Sequence, residues 1–397
     1  MLILNVKMKN FSSIGRDNMK KPAFLIGNGL SIALSPEFAL KKITEKFIAS
    51  LDENDRGFLQ EISNCAGKCL NFDNFEENFT AIEAALDSLI RYRRFMDSDV
   101  GRQLRENYSL LDPELEKHEK VIRRIYKNYL SQILQLIHGN VRIDHLKERL
   151  HPFIDFFLNK FFTCNEMFVF TLNYDLVVET ILLQNIGTEA FTDFCFPAGK
   201  LNRTSIPKFD FNPTRNKEIF DCPERKLELH HLHGSLSMFY DYERNRAVKL
   251  KSADIGIEEI YQKIHNESLP LVPAIITGGG KSDKIVQYPF DFYYRAAKDL
   301  CDSGEASELY IVGYSFRDEH INDLIKRWMK NVECYCDGLR IIDYKKSDEE
   351  RGEFKKFVRE VIVKRPCIPD DCFQFGGANE ISQAPGTKKK EKAINEK

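Results

Sequence analysis

Apolar residues follow two patterns along the chain. Between about 38 and 160 they recur every three or four residues, the period of an amphipathic helix. In NFEENFTAIEAALDSLIRYRRFM they are Phe75, Phe79, Ile82, Ala85, Leu86 and Leu89. In EKVIRRIYKNYLSQILQLIHG they are Ile122, Ile125, Tyr126, Tyr129, Leu130, Ile133 and Ile137, with Gly139 placed to stop the helix through a left-handed cap. Ser35 and Pro36 mark an earlier helix start. These stripes read as core-facing. Elsewhere apolar residues form short continuous runs that end in glycine or polar residues, as buried strands do. Such runs precede GNGLS (27–31), TLNYD (171–175), HLHGS (231–235), TGGGKSD (277–283) and GYSFRDEHIN (313–322), and GLRIIDYKK reads as a last strand.

Strands that lead through such turns into helices predict an α/β fold, a parallel sheet flanked by helices. A large helical insertion, about 38–160, follows the first βα unit. Residues 1–20 are expected to be an N-terminal extension, 21–375 the folded domain, and the polar stretch 376–397 a disordered tail.

Composition narrows the function classes. Of 397 residues 43% are hydrophobic, ordinary for a globular chain, and 58 basic against 60 acidic residues leave a net charge of −2. No global basic field is present to attract nucleic acid, so direct nucleic-acid binding is not indicated. No apolar run approaches the roughly 18 residues that span a bilayer. The opening MLILNVKMKNF is too soon interrupted by lysine to be a signal peptide. A cytoplasmic protein without membrane contact is expected. The ten cysteines form no C-x-x-C pair, so they read as reduced thiols, and no metal is expected.

In a parallel α/β sheet ligands sit at the carboxyl ends of the strands, where these turns would form one composite pocket. Gly27 and Gly29 lack Cβ atoms and allow close backbone approach, Asn28 tolerates left-handed torsions, and Ser31 adds a hydroxyl near a helix N-terminus. A tight strand–helix turn with no ligand is the plain alternative. Asn173 and Asp175 can hold hydroxyls or water, or simply cap a helix. His233 is the best candidate for a general base, with Gly234 and Ser235 opening a turn beside it. In an extended segment His231 and His233 would share a face, with His230 opposite. Gly313 and Ser315 could cradle phosphate or ribose, Lys281 could meet a phosphate, Asp318 reads as an N-cap and His320 as a helix-face residue.

Taken in order, GNGLS, TLNYD, LHGS and GYSF resemble the Gly-Ala-Gly-x-Ser, Thr-x-Asn-x-Asp, His-Gly and Gly-Thr/Tyr-Ser motifs of the sirtuin-like NAD-binding superfamily. The resemblance covers islands between Phe24 and Tyr344. The paired C-x-x-C zinc module of the protein deacetylases is missing, and IALSPEFALKKI lacks their Gly-Ile-Pro-x-Phe-Arg pattern. GYSFRDEHIN resembles instead the bacterial sirtuin-like branch of antiphage defence. The resemblance implies a Rossmann-like fold and an NAD+ glycohydrolase that depletes NAD during infection, with NAD as substrate. By motif position, Asn173 and His233 match the catalytic residues and Asp175 the acidic residue that supports the ribose. Gly27, Asn28, Gly29 and Ser31 match the phosphate turn, with Thr171, Gly313 and Ser315 completing the cofactor site. A homo-oligomer built through the insertion, and a trigger or partner protein, are expected. The alternatives are a non-catalytic sensor of NAD or ADP-ribose, an ADP-ribosyltransferase or a deacetylase.

Overall fold

The structure is a computed structural model that describes residues 21–381 except 109–114, 142, 202–205, 213–225, 242–245, 251–258, 262, 264–270, 278–280, 332–337 and 363–367. The expected extension 1–20, the glycines 278–280, and Cys334 and Cys336 lie outside the described residues. The chain opens with β1 (Pro22–Ile26) and the short α1 (Gly29–Leu34). The insertion follows: α2 (Leu40–Ser50), α3 (Glu53–Cys65), α4 (Phe75–Asp97), α5 (Asp99–Tyr108), α6 (Leu115–His138), α7 (Ile143–Arg149) and α8 (His151–Thr163). Then come β2 (Met167–Thr171), α9 (Val177–Asn185), β3 (Phe191–Thr192), β4 (Cys195–Lys200), β5 (Pro207–Phe211), β6 (Leu227–His231), β7 (Gly234–Asp241), β8 (Arg246–Leu250) and β9 (Leu271–Ile275). The chain continues through α10 (Lys281–Ile285), α11 (Phe290–Ser303), β10 (Glu308–Val312), α12 (Glu319–Asn331), β11 (Leu339–Ile342), α13 (Asp348–Ile362) and β12 (Phe373–Gln374).

A seven-stranded sheet in the order β12-β11-β10-β1-β2-β6-β3 has every neighbour pair parallel. The fold is Rossmann-like, with β1 central and β2 and β10 on its two sides. The strands read as continuous apolar runs because both faces are covered. Phe24 and Ile26 of β1, Val169 of β2 and Tyr310 and Val312 of β10 face one layer; Ala23, Leu25, Phe170, Leu309 and Ile311 face the other. The second layer is α11, α12 and α13, whose Tyr293, Trp328 and Val358 are almost fully buried. The first layer contains α1, α8 and α9, and the insertion packs on it without a break: Phe47, Phe75, Phe79, Tyr129 and Ile133 belong to the same core as Phe24. The insertion is therefore part of the domain's core and not a separate body. Its helices start where the sequence supplies caps. The Asn74 side chain accepts from the Glu76 N–H at 3.0 Å, and Asp52 accepts from the Asp55 N–H at 2.8 Å.

Three expectations need correction. Gly139 does not adopt a left-handed cap; its N–H still bonds the Gln135 carbonyl and the turn tightens through Asn140 N–H to Ile137. The tail does not begin at 376. Gly377 N–H bonds the Asp343 carbonyl at 3.0 Å, and Ala378 and Ile381 are buried in the first core, because apolar side chains interrupt the polar run there. Residues 382–397 lie outside the described residues. Lastly, the strand before TGGGKSD is not in the parallel sheet. β9 belongs to a second, five-stranded sheet, β4-β5-β8-β7-β9, whose pairs are antiparallel. Apolar runs do not reveal which sheet a strand joins.

Candidate functional site

The turns after β1, β2 and β10 meet at the carboxyl edge of the parallel sheet. Gly27 and Gly29 lie against Gly313: a Cβ on Gly27 would stand 2.6 Å from the Gly313 carbonyl oxygen, and one on Gly29 2.5 Å from the Gly313 Cα. Backbone touches backbone there, so no side chain fits. Gly27 N–H donates to Val312 O at 2.9 Å and Gly29 N–H to Gly313 O at 2.8 Å. These two N–H groups are committed to the strand crossing, which corrects the expectation that they reach a pyrophosphate. Asn28 is exposed, and its side chain donates to the Phe38 carbonyl at 3.1 Å.

Behind the crossing runs a buried chain of polar groups. Asn173 Nδ2 donates to Gly27 O at 3.1 Å and to Ser31 Oγ at 3.0 Å; Ser31 Oγ donates to Asp175 Oδ2 at 2.6 Å; Asp175 Oδ1 accepts from Val177 N–H at 3.0 Å. Thr171 Oγ1 accepts from Asn173 N–H at 3.1 Å. Burial pushes the Asp175 carboxyl above its usual range, against the pull of the Ser31 hydroxyl and the Val177 N–H. Asp175 thus braces Ser31 and the start of α9, and both amide hydrogens of Asn173 are used. Only its Oδ1 is left to meet a ligand.

His233 lies just past β6 and is 4% exposed. Its Nε2 is 3.4 Å from Nε2 of His320, which opens α12. Beside the pair, Lys281 Nζ is 3.1 Å from Asp318 Oδ1 and 3.4 Å from Glu76 Oε2, the latter on the first turn of insertion helix α4. Burial, followed by the Lys281 ammonium, drives the His233 pKa far below its ordinary value; burial lowers His320 as well. The Lys281 ammonium outweighs burial and holds the Asp318 carboxyl below its usual range, while burial raises Glu76. The turn carrying Asp318 and His320 is held tightly. Phe316 sits at φ +58°, a costly conformation for an aromatic residue, fixed by Asn322 Nδ2 on its carbonyl at 2.9 Å. Tyr314 Oη lies 2.9 Å from Asp318 O and 3.0 Å from Asn322 Oδ1, which share its one hydrogen. A second pair ties the insertion to the same segment: Lys284 Nζ bonds Glu83 Oε1 and Oε2 at 2.7 Å.

The other predicted residues fall elsewhere. Gly234 (φ +86°) starts β7, where a Cβ would stand 2.0 Å from the Ala274 carbonyl oxygen, and Ser235 is buried beside Ser237. They join the second sheet and open no turn on the site. Ser315 is exposed. His231 and His233 do not share a face, because the strand ends between them: His231 Nε2 lies 3.0 Å from Glu179 Oε1 on α9, while His233 turns to α12. His230 packs against Phe170 and Phe194 and bonds Glu228 at 2.9 Å. The Asp318 carboxylate serves Lys281, and the Asp318 carbonyl accepts from Ile321 and Asn322 N–H.

His320 and Glu76 were missed as site residues. His320 is visible in the late motif, but its partner lies 87 residues upstream. Glu76 carries no local signal beyond its place in a helix's first turn. Near Glu179, Asp193 and His231 offer further ligand atoms, all within 4.8 Å of one another. The Lys249 ammonium occupies that space, 2.8 Å from Glu179 Oε1 and bonded to Asp193 Oδ2. One strand beyond β10, the ends of β11 and β12 border an open cleft of about 430 Å³ lined by Tyr344, Lys345, Lys346, Arg351 and Phe375.

No helix among the described residues is long and apolar enough to cross a membrane. No curated protein matches the chain. Residues 24–334, which span β1, the insertion, the second sheet and the turn carrying Asp318 and His320, match the family described as a domain of unknown function, DUF4917, and the chain belongs to that family.

Proposed function

We propose that the protein is an NAD+ glycohydrolase that cleaves the nicotinamide–ribose bond, acting in the cytoplasm in bacterial antiphage defence by depleting NAD. The observation that carries this reading is the meeting of the Gly27–Ser31, Thr171–Asp175 and Gly313–His320 turns with His233 at the carboxyl edge, where doubly wound sheets bind dinucleotides. The resemblance of those turns to the sirtuin-like motifs supplies the substrate. The cleft beyond β10, where Lys346 stands with Lys345, Arg351 and Glu380, offers the exposed Tyr344 ring as a surface for a base.

Cleavage passes through an oxocarbenium-like state in which the ribose must be oriented and a water deprotonated. In this reading Asn173 Oδ1 accepts from a ribose hydroxyl and the His233 region removes the proton from water, an effect worth roughly 10²–10⁴-fold. Asp175 acts through Ser31 and Asn173 and does not touch the sugar. The insertion supplies the surface for a homo-oligomer and for a trigger protein; Tyr92, Phe95 and Val100 are exposed on α4 and α5.

A second reading is a sensor that binds NAD or ADP-ribose without turnover. The full commitment of the Asn173 amide hydrogens, which leaves that side chain without a donor for the reaction, favours it. Nicotinamide release from NAD by the purified protein, with Asn173→Ala and His233→Ala alongside, separates the two. Release that disappears in both variants supports the glycohydrolase. NAD binding without release selects the sensor, and absence of both sinks the NAD reading altogether.

A further inference from the structure

The insertion reaches the site through two charge pairs of unequal strength. Both start on one face of α4, where Glu76 and Glu83 are seven residues, about two helical turns, apart. Both end on α10, on Lys281 and Lys284, which stand about one turn apart. The Glu76 pair is the loose one: Lys281 Nζ is 3.4 Å from Glu76 Oε2 and closer, at 3.1 Å, to Asp318 Oδ1. The Glu83 pair is close and two-pronged. Lys284 Nζ lies 2.7 Å from both Oε1 and Oε2 and also donates to the Thr277 carbonyl just past β9. From α6, Tyr126 Oη donates to Glu83 Oε1 at 2.7 Å. Three charge-assisted hydrogen bonds thus converge on one carboxylate, the stronger class of such bonds. They go to Lys284 and Tyr126, outside the histidine cluster.

α10 is five residues long, too short to be stable by its own hydrogen bonds. Its place is set by what it touches. Ile285 is buried in the second core layer, and Lys284 is bound to Glu83. One turn before Lys284, Lys281 meets Asp318, two residues ahead of His320 on the turn into α12. We propose that Glu83 is a positioning residue of the site: by holding Lys284 it fixes α10, and α10 keeps the Lys281 ammonium on Asp318, beside His233 and His320. The insertion is then part of the site and not only a surface for partners. The effect of Glu83 on turnover rests on the glycohydrolase reading; its effect on the histidines does not.

The consequence is electrostatic. An ammonium held near the rings opposes a proton on them, so the histidines stay neutral, as a base must be before it acts. His320 is faced by Lys281 on α10, Asp318 on its own turn, Asp323 on α12 and His233 after β6, with Glu76 on α4 across Lys281. Tyr294 of α11 stands there too, its Oη 3.4 Å from the His320 carbonyl. Asp318 and Asp323 favour a proton on His320, and Lys281 disfavours it. If α10 loosens, Lys281 withdraws and the balance tips toward protonation.

The test compares the full chain with Glu83→Gln, Lys284→Met and Lys281→Met, each checked for folding by circular dichroism. NMR titration of ¹⁵N-histidine-labelled protein without substrate, with His320 assigned through His320→Gln, should show His320 taking its proton at higher pH in all three. Glu83→Gln and Lys284→Met break one bond from its two sides, so either decides if the other fails to fold. The shift in Glu83→Gln/Lys281→Met should be no larger than in Lys281→Met, because Glu83 acts through Lys281. A His320 titration unchanged in folded Glu83→Gln and Lys284→Met, or shifts that add in the double variant, overturns the proposal. In nicotinamide release the acid limb of the kcat/KM profile should move to higher pH in Glu83→Gln, with activity recovered above it. A uniform loss at every pH means a structural role and overturns the proposal as well. A wild type that releases no nicotinamide overturns the glycohydrolase reading alone, and the NMR shifts still decide whether Glu83 positions Lys281.

Discussion

His231 and His233 stand two residues apart at the end of β6, yet they enter two unlike clusters. Around His231 the pairing is tight. Glu179 lies 3.0 Å from His231 and 2.8 Å from Lys249, and Lys249 also binds Asp193. The mutual attraction is strong enough to hold Glu179 below the usual carboxylate range and Lys249 above the usual ammonium range despite burial. Around His233 the contacts are longer, 3.1 to 3.4 Å, and Lys281, Asp318 and Glu76 keep about a fifth of their side-chain surface open. Each carboxylate of the first cluster has its cation at close range. The second holds a neutral, desolvated base next to a lysine shared by two carboxylates. The difference teaches that tight, closed charge pairing joins the two sheets, whereas the looser cluster is the one with capacity left for a ligand or a proton.

The largest test of that contrast is Lys249→Met. It strands Asp193 without its cation and leaves Glu179 with His231 alone beside β6. Breaking a buried pair costs about 3–5 kcal/mol. Urea unfolding at neutral pH should report a loss of that size, shrinking in acid as the carboxylates are protonated. A loss below about 1 kcal/mol, the range of exposed pairs, would erase the distinction between the clusters.

Next in size is the response of His233 to pH. In the unfolded chain a histidine binds its proton below about 6.5. In the folded protein His233 is held down to about 3, chiefly by burial. The unfolded state therefore binds more protons in that window, and stability falls on acidification from about 6.5 by up to about 1.4 kcal/mol per pH unit for this one group. His320, lowered as well, adds in the same direction. Unfolding free energies between pH 7 and 5 should show this slope in the wild type and a flatter one in His233→Gln. Equal slopes would mean that His233 is solvated, and the second cluster would lose its reserved base.

The smallest effect is expected for Lys281→Met. Its pairs are longer than those of Lys249 and keep about a fifth of their side-chain surface in water, so they contribute less than the closed cluster. The fold should tolerate the change, while the NMR titration of His320 moves upward because the neighbouring cation is gone. A destabilisation as large as that of Lys249→Met would show that Lys281 is a structural bolt between the insertion and the sheet.

Much of the fold is legible in the sequence because burial on both faces writes itself as apolar runs. PAFLI, MFVFT and ELYIV become β1, β2 and β10, and the stripes through Phe75, Phe79, Ile82, Tyr129 and Ile133 become α4 and α6. The five polar turns are legible too, since a chain leaving a buried strand needs glycine, asparagine or serine there. The site is legible in part. Asn173, Asp175, Ser31 and Thr171 do come together, because they follow adjacent parallel strands in register, Ile26 beside Thr171.

Local pattern ends where partners are chosen across long separations. An apolar run does not state whether its neighbour is parallel or antiparallel, so the run of β9 reads as part of the parallel sheet and joins the antiparallel one instead. A G-x-G turn does not state whether it faces a phosphate or another glycine; only the 2.8 Å hydrogen bond from Gly29 N–H to Gly313 O decides that. The alternation that would put His231 and His233 on one face holds only while the strand lasts, and β6 stops at His231. The sequence by itself determined the order of strands, helices and polar turns, because hydrophobic period and turn chemistry act over a few residues. The tertiary structure alone decided that His320, Lys281 and Glu76 surround His233, because burial and Coulomb interactions act through space between residues that the chain keeps far apart.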